Sequence, residues 1–154
     1  MRPFLSTAFL LASVVPAGAA TVTRPAEFVG PFPSWVNVKT EFGAVGDGQT
    51  DDTAAIQRAL VSVRSKDSPK KVLYFPAGTY RITDTLQLIR ISHNEPLGMS
   101  VTGEDPERTI IRWDGPAGGS MFLYDAWYAS LSRFTFDGAG KAKDGGKRED
   151  NIPF

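Results

Sequence analysis

The sequence has no cysteine, a single histidine and no apolar run long enough to span a bilayer. Without cysteine, no disulfide and no thiolate metal site can contribute to stability, so packing and hydrogen bonds must hold the fold together. Basic and acidic residues are balanced at 17 each, and the formal net charge is +0. That balance argues against a nucleic-acid partner, because such proteins usually carry a basic surface.

The first twenty residues have the pattern of a secretory signal peptide. Arg2 supplies positive charge, Phe4–Val15 is mostly apolar, and Ala17-Gly18-Ala19 fits a small-residue cleavage site. We therefore expect a secreted protein, extracellular or periplasmic, with no membrane span once the signal is removed. The alternative is a buried N-terminal strand or helix. The proline-bearing residues 21–34 are predicted to be a linker, and residues 35–154 the N-terminal part of one domain.

One stretch predicts a helix, at about residues 51–64. Ile56, Ala59, Leu60 and Val63 recur at the spacing of a single apolar face. Thr50 or Asp51 can cap its start, and the acidic pair at 51–52 suits the positive end of the helix dipole. The preceding residues 42–50 hold three glycines and are predicted to be a loop, after a strand over residues 35–40.

The rest of the chain is typical of short strands separated by glycine-bearing turns. Tyr80, Ile82, Leu86 and Leu88 share one parity, as in strands, and a bend is expected near Ile89 and Ile91. Further strands are predicted over 72–75, 99–102, 109–113, 121–124 and 131–136. A weak repeat aligns the Asp-Gly pair at 114–115 with that at 137–138, 23 residues later. A period of this size indicates stacked coils, although a β-sandwich also gives regular short strands.

Three segments together resemble the pectate-lyase superfamily, and more narrowly its rhamnogalacturonase/epimerase-like branch, related to polygalacturonases. They are FGAVGDGQTDDTAAIQRAL at 42–60, VLYFPAGTYRITDTLQL at 72–88 and TGEDPERTIIRWDG at 102–115. Asp105 stands where the family pattern has a glycine. The resemblance covers about Val36–Gly138. It implies an all-β fold, a right-handed parallel β-helix with an N-terminal capping α-helix, in a stack that looks truncated.

The function implied by the resemblance is that of the N-terminal portion of a secreted polysaccharide-degrading protein. The first expectation is a glycoside hydrolase acting on pectin-type or related glycans. A polysaccharide lyase or epimerase of the same fold is one alternative, and a non-catalytic carbohydrate-binding or adhesin protein is another. The expected partner is a polysaccharide or oligosaccharide. No cofactor is predicted, and the sugar, its linkage and the oligomeric state stay open.

Glycoside hydrolysis needs two carboxyl groups flanking the scissile bond. Glu104, Asp105, Asp114, Asp125 and Asp137 are the available acids, but Asp-Gly pairs are more typical of turns. The catalytic aspartate motifs of polygalacturonase-like families do not occur here. We therefore assign no catalytic residue in this chain and expect the catalytic set beyond Phe154.

Three other patterns could in principle form a binding or catalytic site. The glycines at 43, 46 and 48 do not have the spacing of a phosphate loop, and an aspartate follows them, so we interpret them as a turn. Asp47, Asp51 and Asp52 lack the order of a calcium loop, and no metal site is predicted. His93, the one histidine, lies in a polar, proline-ended loop and is interpreted as solvated.

An aromatic-rich region remains, with Trp113, Tyr124, Trp127 and Tyr128. Trp113 lies in a strand pattern and is expected to point inward. Trp127 and Tyr128 lie between strands, where an exposed ring can stack against the C–H face of a sugar. They are our candidate substrate-binding residues, with packing in the core as the alternative.

Overall fold

The computed structural model describes residues 30–65, 67–89, 98–125 and 127–142. The predicted signal peptide of residues 1–20, most of the predicted linker of residues 21–34 and the predicted bend near Ile91 lie outside the described residues.

Ten short strands and two helices make up the described chain. In order they are β1 (Val36–Asn37), α1 (Val38–Phe42), β2 (Asp47–Asp51), α2 (Thr53–Arg64), β3 (Val72–Phe75), β4 (Gly78–Ile82), β5 (Leu86–Ile89), β6 (Ser100–Gly103), β7 (Thr109–Trp113), β8 (Phe122–Asp125), β9 (Ser130–Ser132) and β10 (Thr135–Asp137).

The strands form three parallel sheets. Sheet A has the order β1-β3-β6-β9, sheet B the order β2-β4-β7-β10 and sheet C the pair β5-β8. All the pairings among the described strands are parallel. Because consecutive strands enter different sheets and the chain then returns to the first sheet beside its earlier strand, the fold is a parallel β-helix. The predicted all-β, parallel β-helix fold is confirmed, whereas the capping role of the N-terminal helix stays a prediction.

Columns of inward side chains, in register from coil to coil, form the core. In sheet A, Leu73 pairs with Val101. In sheet B, Tyr80 pairs with Ile111, and both are buried. Alternate residues of a strand point to opposite faces, so the predicted parity of Tyr80, Ile82, Leu86 and Leu88 places all four inside.

The helix α2 has the predicted apolar face. Ile56, Ala59, Leu60 and Val63 are buried, and the helix packs against α1, β3 and β5. Its place in the chain, between β2 and β3, is where a first strand of sheet C would otherwise occur. Neither described helix has the length and apolarity needed to cross a bilayer.

The predicted start of this helix, at residue 51, was two residues too early. Asp51 is the last residue of β2 and pairs with Arg81 of β4. Its carboxylate accepts the N–H of Thr53 at 3.0 Å, but the residue at the N-cap position is Asp52, not the predicted Thr50 or Asp51. Asp52 precedes the first helical residue but makes no side-chain cap bond there, because its carboxylate binds another segment.

The predicted strand over residues 35–40 was wrong beyond Asn37. The Asn37 side chain accepts the N–H groups of Lys39 and Thr40, which starts the short helix α1, and Gly43 ends it with a φ of 78°. The predicted loop over residues 42–50 instead contains most of β2. The alternation of apolar and polar residues could not predict this change. It does not show that the Asn37 side-chain oxygen can bind nearby backbone N–H groups and so favour a helix start over a strand.

The proposed repeat identified sheet B but not its register. β7 and β10 do pair, but Phe136 lies opposite Ile111, not opposite Trp113. The predicted strands over 99–102 and 121–124, which start 22 residues apart, belong to sheets A and C and do not repeat one another. Along sheet A the coil is longer, since Ser100 and Ser130 are 30 residues apart and bonded through their hydroxyls. Asp-Gly marks turns, and turns of unequal length do not report register.

Replacing Leu60 by aspartate tests whether the apolar face of α2 is docked. Leu60 is 1% exposed, so Leu60→Asp should lower the free energy of unfolding by about 3 kcal/mol or more, because a buried charge would have no partner. Chemical denaturation measures the change. Val61→Asp is the matched control, since Val61 is 44% exposed and should cost little. Equal stability of the two variants would contradict the docking.

Candidate functional site

The predicted sugar-contacting residues lie in the turn that joins β8 to β9. Trp127 is 53% exposed and Tyr128 is 82% exposed. Tyr124, near the end of β8, donates its hydroxyl proton to the carbonyl oxygen of Ala129 at 2.6 Å and so ties the two ends of the turn together. The predicted exposure of both rings is confirmed. Their contact with sugar stays a prediction.

The backbone of this turn has an unusual conformation at Tyr128. Its φ is 56°, in the left-handed region that bulky residues rarely adopt. Such conformations persist only where the surrounding structure holds them. Here the Tyr124 bond provides one restraint, and the outcome is a large ring presented to solvent rather than packed.

Tyr124 belongs to the aromatic-rich region of the sequence but is not one of the predicted substrate-binding residues. It is opposite Leu88 in the β5–β8 pair, so it belongs to an inward column, yet its ring is partly exposed on the last described coil. Its bracing bond spans five residues across a turn. No spacing rule for helices or strands signals such a contact.

Trp113 is buried, as predicted. Its indole N–H donates to the carbonyl oxygen of Pro116 at 3.1 Å, and the ring fills the space beside Gly115 and Gly119. A side chain on either glycine would collide with the ring, because an added Cβ would lie 2.4 Å or less from Trp113 Cζ2. Trp113 is therefore a core residue.

Glu104 is a structural acid rather than a catalytic one. One oxygen of its carboxylate accepts the N–H of Ala77 at 2.9 Å and the hydroxyl proton of Tyr74 at 3.0 Å. The backbone bond from Ala77, together with Tyr74 and Arg108, holds the pKa of Glu104 below its usual value despite partial burial. Burial and the Glu104 charge in turn raise the pKa of Tyr74 to about 12, so Tyr74 stays a donor.

Three of the other candidate acids, Asp105, Asp114 and Asp137, are also held by local contacts. Asp105 accepts the N–H of Glu107, and this bond lowers its pKa. Asp114 binds the Arg81 guanidinium at 2.7 Å and the Lys141 ammonium at 3.0 Å, which lowers its pKa. Asp114 thus lies where the chain leaves β7, as the Asp-Gly pair indicates, while its side chain makes ion pairs. Asp137 does accept the N–H of Ala139, a bond within its own turn.

These lowered pKa values bear on whether the acids can serve as the general acid of glycoside hydrolysis. A general acid in glycoside hydrolysis must still hold its proton near neutral pH, which requires a raised pKa. Glu104, Asp105 and Asp114 are shifted in the opposite direction. They are therefore poorly suited to donate a proton to a leaving group.

The glycine-rich segment before α2 is a turn built around carboxylates. Asp47 accepts the N–H groups of Gln49 and Thr50, and Asp51 accepts the hydroxyl proton of Thr83 at 2.6 Å. Asp52 accepts the N–H groups of Val45 and Gly46, which is where a phosphate would have to bind. Among the described residues, no three His, Cys, Asp or Glu side chains are grouped as metal ligands. His93 lies outside the described residues.

A shallow polar cleft of about 430 Å³ lies beside the start of α2. It is lined by Asp51, Thr53, Ala54, Gln57, Thr83, Asp84, Thr85 and Gln87. Much of its polar lining is bonded internally: Gln57 binds the Gln87 backbone, and Asp84 accepts the N–H of Thr85. The cleft is therefore a seam between α2 and the first full coil.

The sequence profile of the family described as rhamnogalacturonase A/epimerase, pectate lyase-like, matches residues 35–120. Similar curated proteins include a glucan 1,3-beta-glucosidase of Cochliobolus carbonum, 40% identical over 40% of this chain and 7% of its own length. A mannuronan C5-epimerase of Azotobacter vinelandii is 32% identical over 66% of this chain and 11% of its own length. A pre-neck appendage protein of Bacillus phage B103 is 28% identical over 76% of this chain and 13% of its own length. The chain thus spans only a small part of these relatives.

Two solved structures are similar in fold. ORF18 of Geobacillus virus E2 aligns with a TM-score of 0.56 and 29% identity, over 71% of this chain and 22% of that one. The A-module of a mannuronan C-5 epimerase of Azotobacter vinelandii aligns with a TM-score of 0.52 and 24% identity, over 71% of this chain and 30% of that one.

The contacts of Glu104 predict an acid-sensitive step in stability. Since folding lowers its pKa from the ordinary 4.5, the stabilisation is present above that pH and is lost as the pH falls through the folded value. Glu104→Gln should therefore be less stable than the parent at pH 7, with a gap that closes as the pH falls below 4.5. Urea unfolding across pH 2.5–7 measures the gap.

Glu107→Gln is the control for this prediction, because Glu107 lies in the same turn but is exposed. It should leave the pH profile unchanged. A constant gap between Glu104→Gln and the parent at all pH values would show that the Glu104 charge is not what the contacts stabilise.

Proposed function

The chain belongs to the rhamnogalacturonase A/epimerase, pectate-lyase-like family, and on this basis we propose that it forms the first coils of a secreted protein that degrades a polysaccharide. The proposed chemistry is acid/base hydrolysis of a glycosidic bond in a pectin-type or related glycan. The exposed Trp127–Tyr128 turn carries the proposal, because it offers two rings to a ligand on a family scaffold related to glucosidases and epimerases.

The turn has the properties of a sugar platform. Sugar rings present C–H faces that pack on aromatic rings, while Trp and Tyr tolerate a surface that is apolar on one side and wet on the other. The Tyr124 brace fixes the turn before a ligand arrives, which reduces the conformational entropy lost on binding. A linear polymer can extend from this turn along the side of the stacked coils.

We place the catalytic acids on coils beyond this chain. The lowered pKa values of Glu104, Asp105 and Asp114 support this placement, as does the small share of each relative that the chain spans. Export is proposed from the pattern of the first twenty residues. Epimerisation or lyase chemistry is the nearest alternative, and the relation to a mannuronan C5-epimerase favours it.

A non-catalytic binding role is the second candidate. It is favoured by the similarity to a phage pre-neck appendage protein over 76% of this chain. The same aromatic turn would serve either role. The sequence that follows Phe154 separates them, because a cluster of acids on adjacent coils favours an enzyme.

Binding by the aromatic turn can be tested by affinity electrophoresis in gels containing pectin, rhamnogalacturonan or β-glucan. The parent chain should be retarded by at least one of these. Trp127→Ala and Tyr128→Ala should each weaken binding by about fivefold to tenfold, since an aromatic contact contributes about 1 kcal/mol. Thermal stability should change little, because both rings are exposed.

Phe32→Ala is the control for these variants, because Phe32 is another exposed aromatic residue but lies against Trp35 at the start of the described chain. It should bind as the parent does. If Trp127→Ala lowers the melting temperature and leaves binding intact, Trp127 is a packing residue instead.

Assays for released reducing ends test the placement of the catalytic acids. The 154-residue chain should release none from pectin, rhamnogalacturonan or β-glucan, because Glu104, Asp105 and Asp114 have lowered pKa values and the catalytic acids are proposed to lie on later coils. Acid-catalysed turnover abolished by Glu104→Gln or Asp114→Asn would overturn the proposal that catalysis lies on later coils.

A further inference from the structure

The exposed aromatic turn lies in a stretch of sequence without positive charge. From Asp125 to Ser132 the chain reads DAWYASLS, with an acid at its start and no Lys, Arg or His. Trp127 and Tyr128 are exposed, and so are the side chains of Ser130 and Ser132 in the strand that follows, β9. Sites for carboxylates usually contain Arg or Lys, because charge-assisted hydrogen bonds are stronger than neutral ones.

Two cationic side chains lie near the turn, in the chain or in sheet A, and both are bonded to backbone carbonyl groups. Arg133 directly follows β9, and its guanidinium donates to the carbonyl oxygens of Gly103 and Glu104, at 3.2 Å and 2.6 Å. Lys71 precedes β3, two strands away from β9, and its ammonium donates to the carbonyl oxygen of Ser65. These bonds commit both cations to the backbone of the coils.

The outer face of sheet A, next to the turn, presents hydroxyl groups. Ser130 and Ser132 of β9 pair with Ser100 and Thr102 of β6, and these four side chains form what we call the hydroxyl face. The Ser130 hydroxyl donates to Ser100 Oγ at 2.9 Å, and the Ser132 hydroxyl donates to Thr102 Oγ1 at 3.3 Å. Because a hydroxyl oxygen has two lone pairs, both β9 serines can still accept hydrogen bonds from a sugar.

Charged side chains are concentrated on the outer face of sheet B instead. Across β2, β4, β7 and β10 the register places next to one another Asp51, Arg81, Arg112 and Asp137. The outward side chains of β3, β6 and β9 in sheet A carry no charge: Val72, Tyr74, Ser100, Thr102, Ser130 and Ser132. The aromatic turn is therefore continuous with an uncharged surface.

We propose that the aromatic turn and the hydroxyl face select an uncharged glycan, such as a glucan, over a glycan that carries carboxylates. This inference rests on the function proposed above and narrows its substrate class. The two rings pack on the C–H faces of a neutral sugar, and the β9 serines accept hydrogen bonds from its hydroxyl groups. A carboxylate would lose water at this surface, and the described side chains of the surface offer no cation in return.

A pair of ligands that differ only in charge tests the selection. Affinity electrophoresis is run in gels containing a soluble β-glucan or the same β-glucan after carboxymethylation, with a non-binding reference protein in each gel. The parent chain should bind the neutral polymer at least about fivefold more tightly. Tighter binding to the carboxymethylated polymer would overturn the selection, while loss of that binding in Trp127→Ala would leave the aromatic turn standing as a sugar site. Binding to neither polymer would overturn both proposals.

A charge added to the hydroxyl face provides the converse test. Ser132→Lys should raise the affinity for the carboxymethylated polymer about fivefold to tenfold, because it places one cation beside the turn. Ser120→Lys is the matched control, since Ser120 is also exposed but lies before the other end of β8, and it should leave this affinity unchanged. An equal gain in both variants, or no gain in Ser132→Lys, would overturn the assignment of selection to this surface.

Discussion

The buried carboxylate of Asp52 is the contact on which the start of the β-helix depends. It accepts the N–H of Val45 at 2.7 Å and that of Gly46 at 2.9 Å, and it is almost fully buried. The backbone of Asp52 also donates to Arg81 of the next coil and accepts from Ile56 of α2. One residue thus joins the glycine turn, the first full coil and the helix, and removing its carboxylate would leave the N–H groups of Val45 and Gly46 without this acceptor.

The turn that Asp52 binds requires glycine at position 46. Gly46 has a φ of 68°, and an added Cβ would lie 3.0 Å from both Lys39 Cε and Tyr80 Cε1. Its carbonyl oxygen accepts the N–H of Thr79, so the turn is bonded to β4 as well as to Asp52. The backbone N–H groups of the glycine-rich segment are therefore bonded to a carboxylate of the same chain rather than open to a phosphate.

The sequence predicted the features that depend on neighbouring residues along the chain, and it did not predict those that depend on contacts between distant residues. Periodicity is local, and it correctly placed Ile56 and Leu60 on the apolar face of α2 and Tyr80 and Ile82 inside the coils. The fold class came from the resemblance. Register was not predictable, because the pairing of Phe136 with Ile111 depends on the lengths of turns that share the same Asp-Gly signal. At the site, the exposure of Trp127 and Tyr128 was predicted from their position between strands. The hydrogen bond from Tyr124 to Ala129 was not predicted, because no periodic pattern in the sequence indicates it.

The two ends of the described coils differ in a way that bears on function. At the first coil, α2 places apolar side chains against the core and the polar side chain of Gln57 against the main chain of β5. At the last described coil, the inward column that begins with buried Tyr80 and Ile111 continues to Phe136, which is 46% exposed. The aromatic turn with Trp127 and Tyr128 lies at this second end, next to the inward ring of Tyr124. A ligand held by that turn would therefore lie at the end of the described stack that is farther from α2, the side on which we place the catalytic coils. In this arrangement the binding turn and the proposed catalytic coils would be neighbours along the β-helix, so one polysaccharide chain could contact both.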